Sequence, residues 1–162
     1  MINDIREVIT SVNVENGVTL VTVFNLPNNS ESIADIFNCL AEKGVNVDMI
    51  SLNPSSGVRQ TVSFSASDGD LSDILSTLGF LKNSYRDLRI DVNTNNCKVT
   101  FAGDAMRERC GVAAFVFSSL GERNISVKLI TTSETKISCL INESDYSEAC
   151  DLIDKTFGIK IL

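Results

Sequence analysis

The stretch LAEKGVNVDMIS at residues 40–51 recurs in altered form as LGERNISVKLIT at residues 120–131, 80 positions further along the chain. In each copy, Gly or Asn separates the end of a helical pattern from alternating apolar residues, so both copies predict a helix followed by a strand. A repeat of this period in a chain of 162 residues predicts two small, related units. The residues that are identical in register are Leu40/Leu120, Glu42/Glu122, Val47/Val127 and Ile50/Ile130.

The first unit is predicted as strand, helix, strand, strand, helix, strand over residues 17–93. Asn28, followed three residues later by Glu31, resembles a capping box and places the start of the first helix within residues 28–31. Gly44 is a typical helix end. This βαββαβ order is the ferredoxin-like arrangement of the α+β class. Alternating apolar residues predict its strands at 18–24, 45–52, 59–66 and 88–92.

The second unit needs residues from both ends of the chain. The polar residues 94–96 predict a break, after which the same order of elements begins again but ends at GIKIL, residues 158–162, where a fourth strand is still required. Residues 7–15 alternate in a pattern that the first unit does not use. We therefore expect an N-terminal strand to complete the second sheet, with a short strand in GIKIL as the alternative. The predicted domains are residues 17–93, and residues 1–16 together with 94–162.

Composition argues against several classes of function. The formal net charge is −7 and histidine is absent, which disfavours a nucleic-acid surface, the usual zinc sites and Ser-His or Cys-His nucleophiles. We expect no catalytic residue, metal, cofactor or nucleic acid. No apolar run approaches about 18 residues and no secretory signal pattern opens the chain, so we expect no membrane partner and a cytoplasmic location. The five cysteines are expected to be reduced.

A distinctive pattern lies in the second unit. Gly103, Met106 and Arg107 form a GxxMR loop, and ITTSETKIS follows at residues 130–138. This pattern resembles the regulatory region of aspartokinases (aspartate kinases), a tandem pair of ACT domains, and the small regulatory subunit that some bacteria make separately. The resemblance covers essentially the whole chain and implies that an N-terminal strand completes the second ACT domain. The kinase domain of the family has no counterpart in the sequence and no GxxxxGK loop occurs, so we expect no enzyme activity from this chain alone.

The resemblance implies allosteric regulation by a bound amino acid. Lysine or threonine would bind at an interface between ACT domains and control aspartokinase in aspartate-family (lysine) biosynthesis. The implied partners are a second copy, in a homodimer formed through ACT domains, and the aspartokinase catalytic chain. A carboxylate suits the free amides at a helix N-terminus, and an ammonium suits a carboxylate such as Asp48. By motif position, the effector-binding residues are Asn25, Asn28, Ser30, Val47, Asp48 and Met49 of the first unit, with Asn124, Ile125 and Ser126 of a partner's second unit.

The first loop departs from the family pattern. Pro-Asp-x-Pro-Gly is replaced by PNNSE at residues 27–31, which puts Glu31 near an incoming carboxylate. The alternatives are a ligand-free ACT pair that serves only dimerisation or assembly, and the excised C-terminal regulatory part of a full aspartokinase. RNA recognition is disfavoured because aromatic residues are only 6% and the charge is negative. Hydrolysis of acyl phosphates is disfavoured because acidic neighbours flank the candidate Arg107.

Overall fold

The computed structural model describes residues 5–54 and 57–161, and within these ranges it contains six strands and four α-helices. The strands are β1 (Ser11–Pro27), β2 (Ile50–Pro54), β3 (Arg59–Ser67), β4 (Arg89–Ala102), β5 (Val127–Thr132) and β6 (Lys136–Asn142). The helices are α1 (Ser30–Glu42), α2 (Leu71–Ser84), α3 (Val112–Glu122) and α4 (Tyr146–Phe157). None of these helices is long and apolar enough to cross a membrane.

Contacts between Cα atoms divide the chain into two compact units. The first unit runs from Gly17 to Thr94, and the second unit combines the residues up to Asn16 with those from Asn95 onward. Strands β1 and β4 therefore each contribute residues to both units. Each unit has its own cluster of buried apolar side chains.

In the first unit, the neighbouring strands follow the order β4–β1–β3–β2. Strand β3 pairs antiparallel with both β1 and β2. Val62, Phe64 and Ala66 of β3 are buried, which confirms the predicted alternation, because successive side chains of a strand point to opposite faces. Helices α1 and α2 pack on the same core with Ile36, Leu40, Ile74 and Leu78.

In the second unit, the order is β1–β4–β6–β5, with β6 antiparallel to β4 and to β5. The N-terminal segment adds Val8, Ile9 and Val12 to the core of this unit, and the amide of Thr10 donates to the carbonyl of Ala102 over 2.8 Å. Residues 158–161 form no strand, and Leu162 lies outside the described residues. The α+β class with antiparallel pairing is confirmed.

Two boundaries differ from the prediction. The predicted break at residues 94–96 coincides with the boundary between the two compact units, but β4 continues through it without interruption. Asn95 adopts a left-handed φ of 58°, which asparagine tolerates better than most residues. The separately predicted strands at 7–15 and 18–24 are likewise joined in one strand, because β1 begins at Ser11 and continues past Gly17, whose φ is 70°. A polar stretch can therefore bend a strand without ending it.

The strand predicted at residues 45–52 begins only at Ile50. Before it, the amide of Asp48 donates to the carbonyl of Ser65 over 3.0 Å, and the amide of Ser65 donates to the carbonyl of Met49 over 2.9 Å. The hydroxyl of Ser65 also accepts from the amide of Met49, at 3.1 Å. This side-chain bond displaces the regular ladder, so residues 48 and 49 contact β3 without forming a regular strand.

Candidate functional site

The loop between β1 and α1 contains three of the predicted effector residues, Asn25, Asn28 and Ser30, all exposed. Asn25 has a left-handed φ of 63°, its side-chain amide donates to the carbonyl of Asp87 over 3.2 Å, and its carbonyl accepts from Arg59 over 3.1 Å. These bonds fix the turn at the start of the loop.

Two buried polar side chains hold the middle of this loop. The side-chain amide of Gln60, on β3, donates to the carbonyls of Pro27 and Asn29 over 2.7 and 3.1 Å. The hydroxyl of Ser32 lies 2.7 Å from the carbonyl of Pro27 and 3.0 Å from that of Asn29. Both carbonyls are therefore occupied, so these loop carbonyls do not offer ready acceptors for a ligand ammonium. Sequence reasoning missed Gln60 and Ser32, because neither stands in a recognisable motif.

The first turn of α1 offers free amides, but the predicted capping box is wrong in its details. The cap is Asn29, whose Oδ1 accepts from the amide of Ser32 over 2.8 Å. Asn28 instead donates through its side chain to the carbonyl of Gly57 over 3.1 Å. Within the described chain, the amides of Ser30 and Glu31 have no acceptor, so two donors remain at the positive end of the helix dipole. These two donors suit a carboxylate.

The second group of predicted effector-binding residues, Val47, Asp48 and Met49, immediately precedes β2. Met49 is only 2% exposed, so its side chain belongs to the interior and is not available to a ligand. Val47 is half-buried, and Asp48 is exposed. Asp48 is therefore the residue of this group whose carboxylate a ligand ammonium can reach.

Within one unit, the loop and Asp48 are not brought together. Leu26 and Pro27 pair with Gln60 and Arg59 at one end of β3, while the amide of Asp48 bonds to Ser65 near the other end. Five residues of strand separate Gln60 from Ser65, a distance of about 17 Å at roughly 3.4 Å per residue. A single free amino acid cannot contact both groups of the same unit.

The third predicted group, residues 124–126, connects α3 to β5 in the second unit. Asn124 has a left-handed φ of 56° and its amide donates to the carbonyl of Gly121 over 2.9 Å, closing the helix. Ile125 is 5% exposed, and its amide donates to the carbonyl of Leu120 over 3.0 Å. Ser126 is exposed. The side chains of Asn124 and Ser126 are thus accessible, whereas that of Ile125 packs into the core.

The cysteines carry no visible chemistry at this site. All five thiols are free. Burial raises the pKa of Cys97 to about 11 and that of Cys139 to about 12, so both remain protonated at neutral pH. In the described part of the chain, no group of three or more His, Cys, Asp and Glu residues is arranged to hold a metal ion.

Comparison with known proteins relates this chain to aspartokinases. The family model of the ACT domain matches residues 99–157. The aspartokinase of Bacillus sp. (strain MGA3) is 35% identical over 152 residues, which are 94% of this chain but only 37% of that protein. A chain in the crystal structure of aspartokinase alpha and beta subunits superimposes with a TM-score of 0.83 at 30% identity, covering 93% of this chain and 99% of the other. The ligand-free regulatory subunit of aspartate kinase from Thermus thermophilus has the same fold, with a TM-score of 0.81 at 22% identity and coverage of 93% and 99%.

Proposed function

The chain belongs to the aspartokinase family, in which it spans the regulatory part, and we propose that it binds lysine or threonine and thereby controls an aspartokinase. The observation that carries this proposal is the extent of the match: 94% of this chain aligns with only 37% of an aspartokinase. The kinase catalytic part of that relative has no counterpart in these residues. The chain therefore acts on an enzyme and does not itself phosphorylate aspartate.

The proposal includes two ACT domains in tandem. The first comprises residues 17–93, and the second comprises residues 94–162 together with residues 1–16, which contain its N-terminal strand. Two observations support this division. The boundaries between the two compact units fall after Asn16 and after Thr94 in the chain, and each unit has a strand order typical of the ferredoxin-like fold. The free thiols fit the proposed cytoplasmic location, where thiols are kept reduced.

The effector would bind between two copies of the chain. The free amides of Ser30 and Glu31 would receive its carboxylate, with Asn25 and Asn28 shaping the loop. Because Asp48 of the same unit is about 17 Å away, the ammonium must be held by another copy. The accessible side chains of Asn124 and Ser126 in a partner's second unit would face the loop, while Ile125 positions them. By the symmetry of the dimer, Asp48 and Val47 of each copy would contact the ligand bound at the loop of the other copy, with Asp48 receiving its ammonium. Met49 would support them from the core. A homodimer is therefore part of the proposed function.

Calorimetric titration of the dimer with L-lysine and with L-threonine tests this proposal. Saturation by either amino acid should also raise the free energy of unfolding, by about 2.7 kcal/mol at one hundred times the dissociation constant. Asp48→Asn should weaken binding, because it removes the negative charge of the exposed carboxylate while keeping the shape of the side chain. Asp154→Asn makes the same change at an exposed position of α4 and should leave binding unaltered. Equal effects of the two variants would contradict the assigned role of Asp48.

An alternative function is assembly without a ligand. It is favoured by Glu31, whose negative charge lies in the first turn of α1, where a carboxylate would approach. If neither amino acid binds while sedimentation shows an intact dimer, the assembly function replaces the effector function.

The partner would be an aspartokinase catalytic chain. Purification of the tagged chain from its own cells, with mass spectrometry of what is retained, should recover such a chain at a stoichiometric level. The kinase activity of the recovered complex should fall on addition of the effector. Recovery of the chain without any aspartokinase would contradict both the regulatory and the assembly function.

A further inference from the structure

The two helices of the second unit are joined by ion pairs. Arg123, the C-cap of α3, has its Nη1 atom 3.1 Å from Oδ2 of Asp151 on α4, and it also pairs with Glu148. Lys155 lies 2.9 Å from Asp151 and completes the network. Two cations and two carboxylates thus neutralise one another across the groove between α3 and α4.

The first unit has the same backbone at this place but different side chains. Lys43 is the C-cap of α1, as Arg123 is of α3, 80 residues later. Helices α2 and α4 align at a spacing of 75 residues. Each helix follows a 3₁₀ turn, and the aligned residues Ile74 and Ala149, and likewise Leu78 and Ile153, are buried. The aligned pairs are Ile74/Ala149, Ser76/Asp151, Thr77/Leu152, Leu78/Ile153 and Phe80/Lys155.

This alignment shows what the first unit has lost. Ser76 stands where Asp151 pairs with Arg123, while Asp73 keeps a carboxylate at the position of Glu148. No ion pair between Lys43 and a carboxylate is formed within the described residues. Thr77 stands where Leu152 is buried; Thr77 is 5% exposed, and its hydroxyl has no hydrogen-bond partner in the described chain. Leaving a buried hydroxyl unpaired is costly, and such groups are rare in folded proteins.

A cavity lies at this position in the first unit. Its volume is about 270 Å³, just below the roughly 300 Å³ at which typical small-molecule pockets begin. Phe80 is 67% exposed, so one side of its ring is open to solvent. The cavity is lined by Cys39, Glu42, Lys43, Ser76, Thr77 and Phe80. It thus combines a cation, a carboxylate and an aromatic ring, beside Thr77, whose hydroxyl is buried and unpaired.

The geometry points to a second amino-acid site in this groove, which takes a free α-amino acid with an apolar side chain. The ligand carboxylate pairs with Lys43 and takes the place of the carboxylate that Asp151 provides in the second unit and that the first unit lacks at Ser76. The ligand ammonium pairs with Glu42, and the apolar side chain covers Phe80. This site lies at the C-terminal end of α1, about 18 Å from the loop at its N-terminal end, so it is separate from the proposed effector site.

Titration of the ¹⁵N-labelled chain with L-phenylalanine, followed by amide chemical shifts, tests the site. The largest shifts should fall on residues 39–43 and 76–80. Two matched probes separate the contacts: 3-phenylpropionate lacks the ammonium and 2-phenylethylamine lacks the carboxylate, and each should bind about tenfold or more weakly than the amino acid. Equal binding of all three probes would overturn the assignment of Glu42 and Lys43.

Ser76→Asp is the decisive variant, because it restores to the first unit the carboxylate that Asp151 provides in the second. It should give Lys43 an internal partner and weaken L-phenylalanine binding about tenfold or more. Ser72→Asp makes the same change on an exposed position of α2 outside the cavity and should leave binding within about twofold. The proposal fails if Ser76→Asp binds as the unaltered chain does, if the shifts fall on residues 25–31 instead, or if no amide of α1 or α2 responds. None of these outcomes depends on lysine or threonine binding at the loop, so the two sites are tested independently.

Discussion

Gly103→Ala should detach the N-terminal segment from the second unit. A Cβ atom at Gly103 would lie 1.8 Å from the carbonyl oxygen of Val8 and 3.0 Å from its carbonyl carbon. Both neighbours are backbone atoms, so no side-chain rotation relieves the overlap. The φ of Gly103 is −179°, an extended conformation that alanine also adopts, so the whole effect is steric.

The magnitude follows from what the segment contributes. Moving Val8 away by more than an ångström breaks the bond between Thr10 and Ala102, which is worth about 1 kcal/mol. Val8 and Ile9 are 4% and 3% exposed, and full burial of each such side chain contributes about 1.5–3 kcal/mol. With partial relaxation, we expect a loss of about 3–5 kcal/mol, a large share of the roughly 5–15 kcal/mol typical of a domain.

The assay is urea unfolding followed by circular dichroism, combined with hydrogen exchange at residues 8–12. Gly121→Ala is the matched control, because that glycine lies within α3 with no atom near an added Cβ, and alanine there should stabilise the chain by about 0.5–1 kcal/mol. The reasoning is refuted if Gly103→Ala unfolds at the same urea concentration as the unaltered chain. It is also refuted if stability falls while the amide of Thr10 keeps its full protection.

Three further outcomes are expected. Thr77→Val should raise the free energy of unfolding by about 1 kcal/mol, because it removes an unpaired buried hydroxyl. Thr22→Val should lower the free energy of unfolding, because the hydroxyl of Thr22 lies 3.1 Å from that of Ser63. Chemical denaturation of both variants measures the sign of each change. The hydrogen bond from Tyr85 to Asp35 raises the pKa of Tyr85 to about 12 from 10.0, so its contribution to stability is complete below pH 10 and is lost as the pH rises from 10 to 12. Tyr85→Phe should therefore show a smaller loss of stability over that interval, and parallel curves for the two proteins would contradict this. Iodoacetamide at pH 8 should alkylate exposed Cys110 well before Cys97 and Cys139, because burial raises the pKa values of these two thiols to about 11 and 12. Peptide mass spectrometry measures the order of alkylation, and alkylation of all three cysteines at one rate would contradict the prediction.

Apolar periodicity predicted the architecture because burial acts on every second residue of a strand and on one face of a helix. Phe64 and Leu40 are both fully buried, and each stands in such a pattern. The role of the N-terminal strand could be predicted from a missing partner, since an unpaired edge leaves backbone groups without hydrogen bonds. The element order therefore required only patterns that are local in sequence.

The details of the candidate site could not be predicted in the same way. Asn28 and Asn29 are the same residue type at adjacent positions, and only the path of the loop decides that Asn29 caps α1. Gln60 occupies the second position of a strand and reads as an ordinary polar residue, yet it is 3% exposed because the loop carbonyls lie over it. These roles depend on contacts between residues about 30 positions apart, which no local pattern encodes.

The two copies differ where the polar side chains of their helices meet. The apolar positions at the helix contacts are kept, as in Leu78 and Ile153, because both cores must be filled. At the groove between the helices, the second unit satisfies its cation with its own Asp151, whereas the first unit leaves Lys43 beside a cavity. A network that is complete within the chain stabilises a surface but offers nothing to a ligand. The incomplete network of the first unit leaves Lys43 to water or to the ligand of the proposed second amino-acid site.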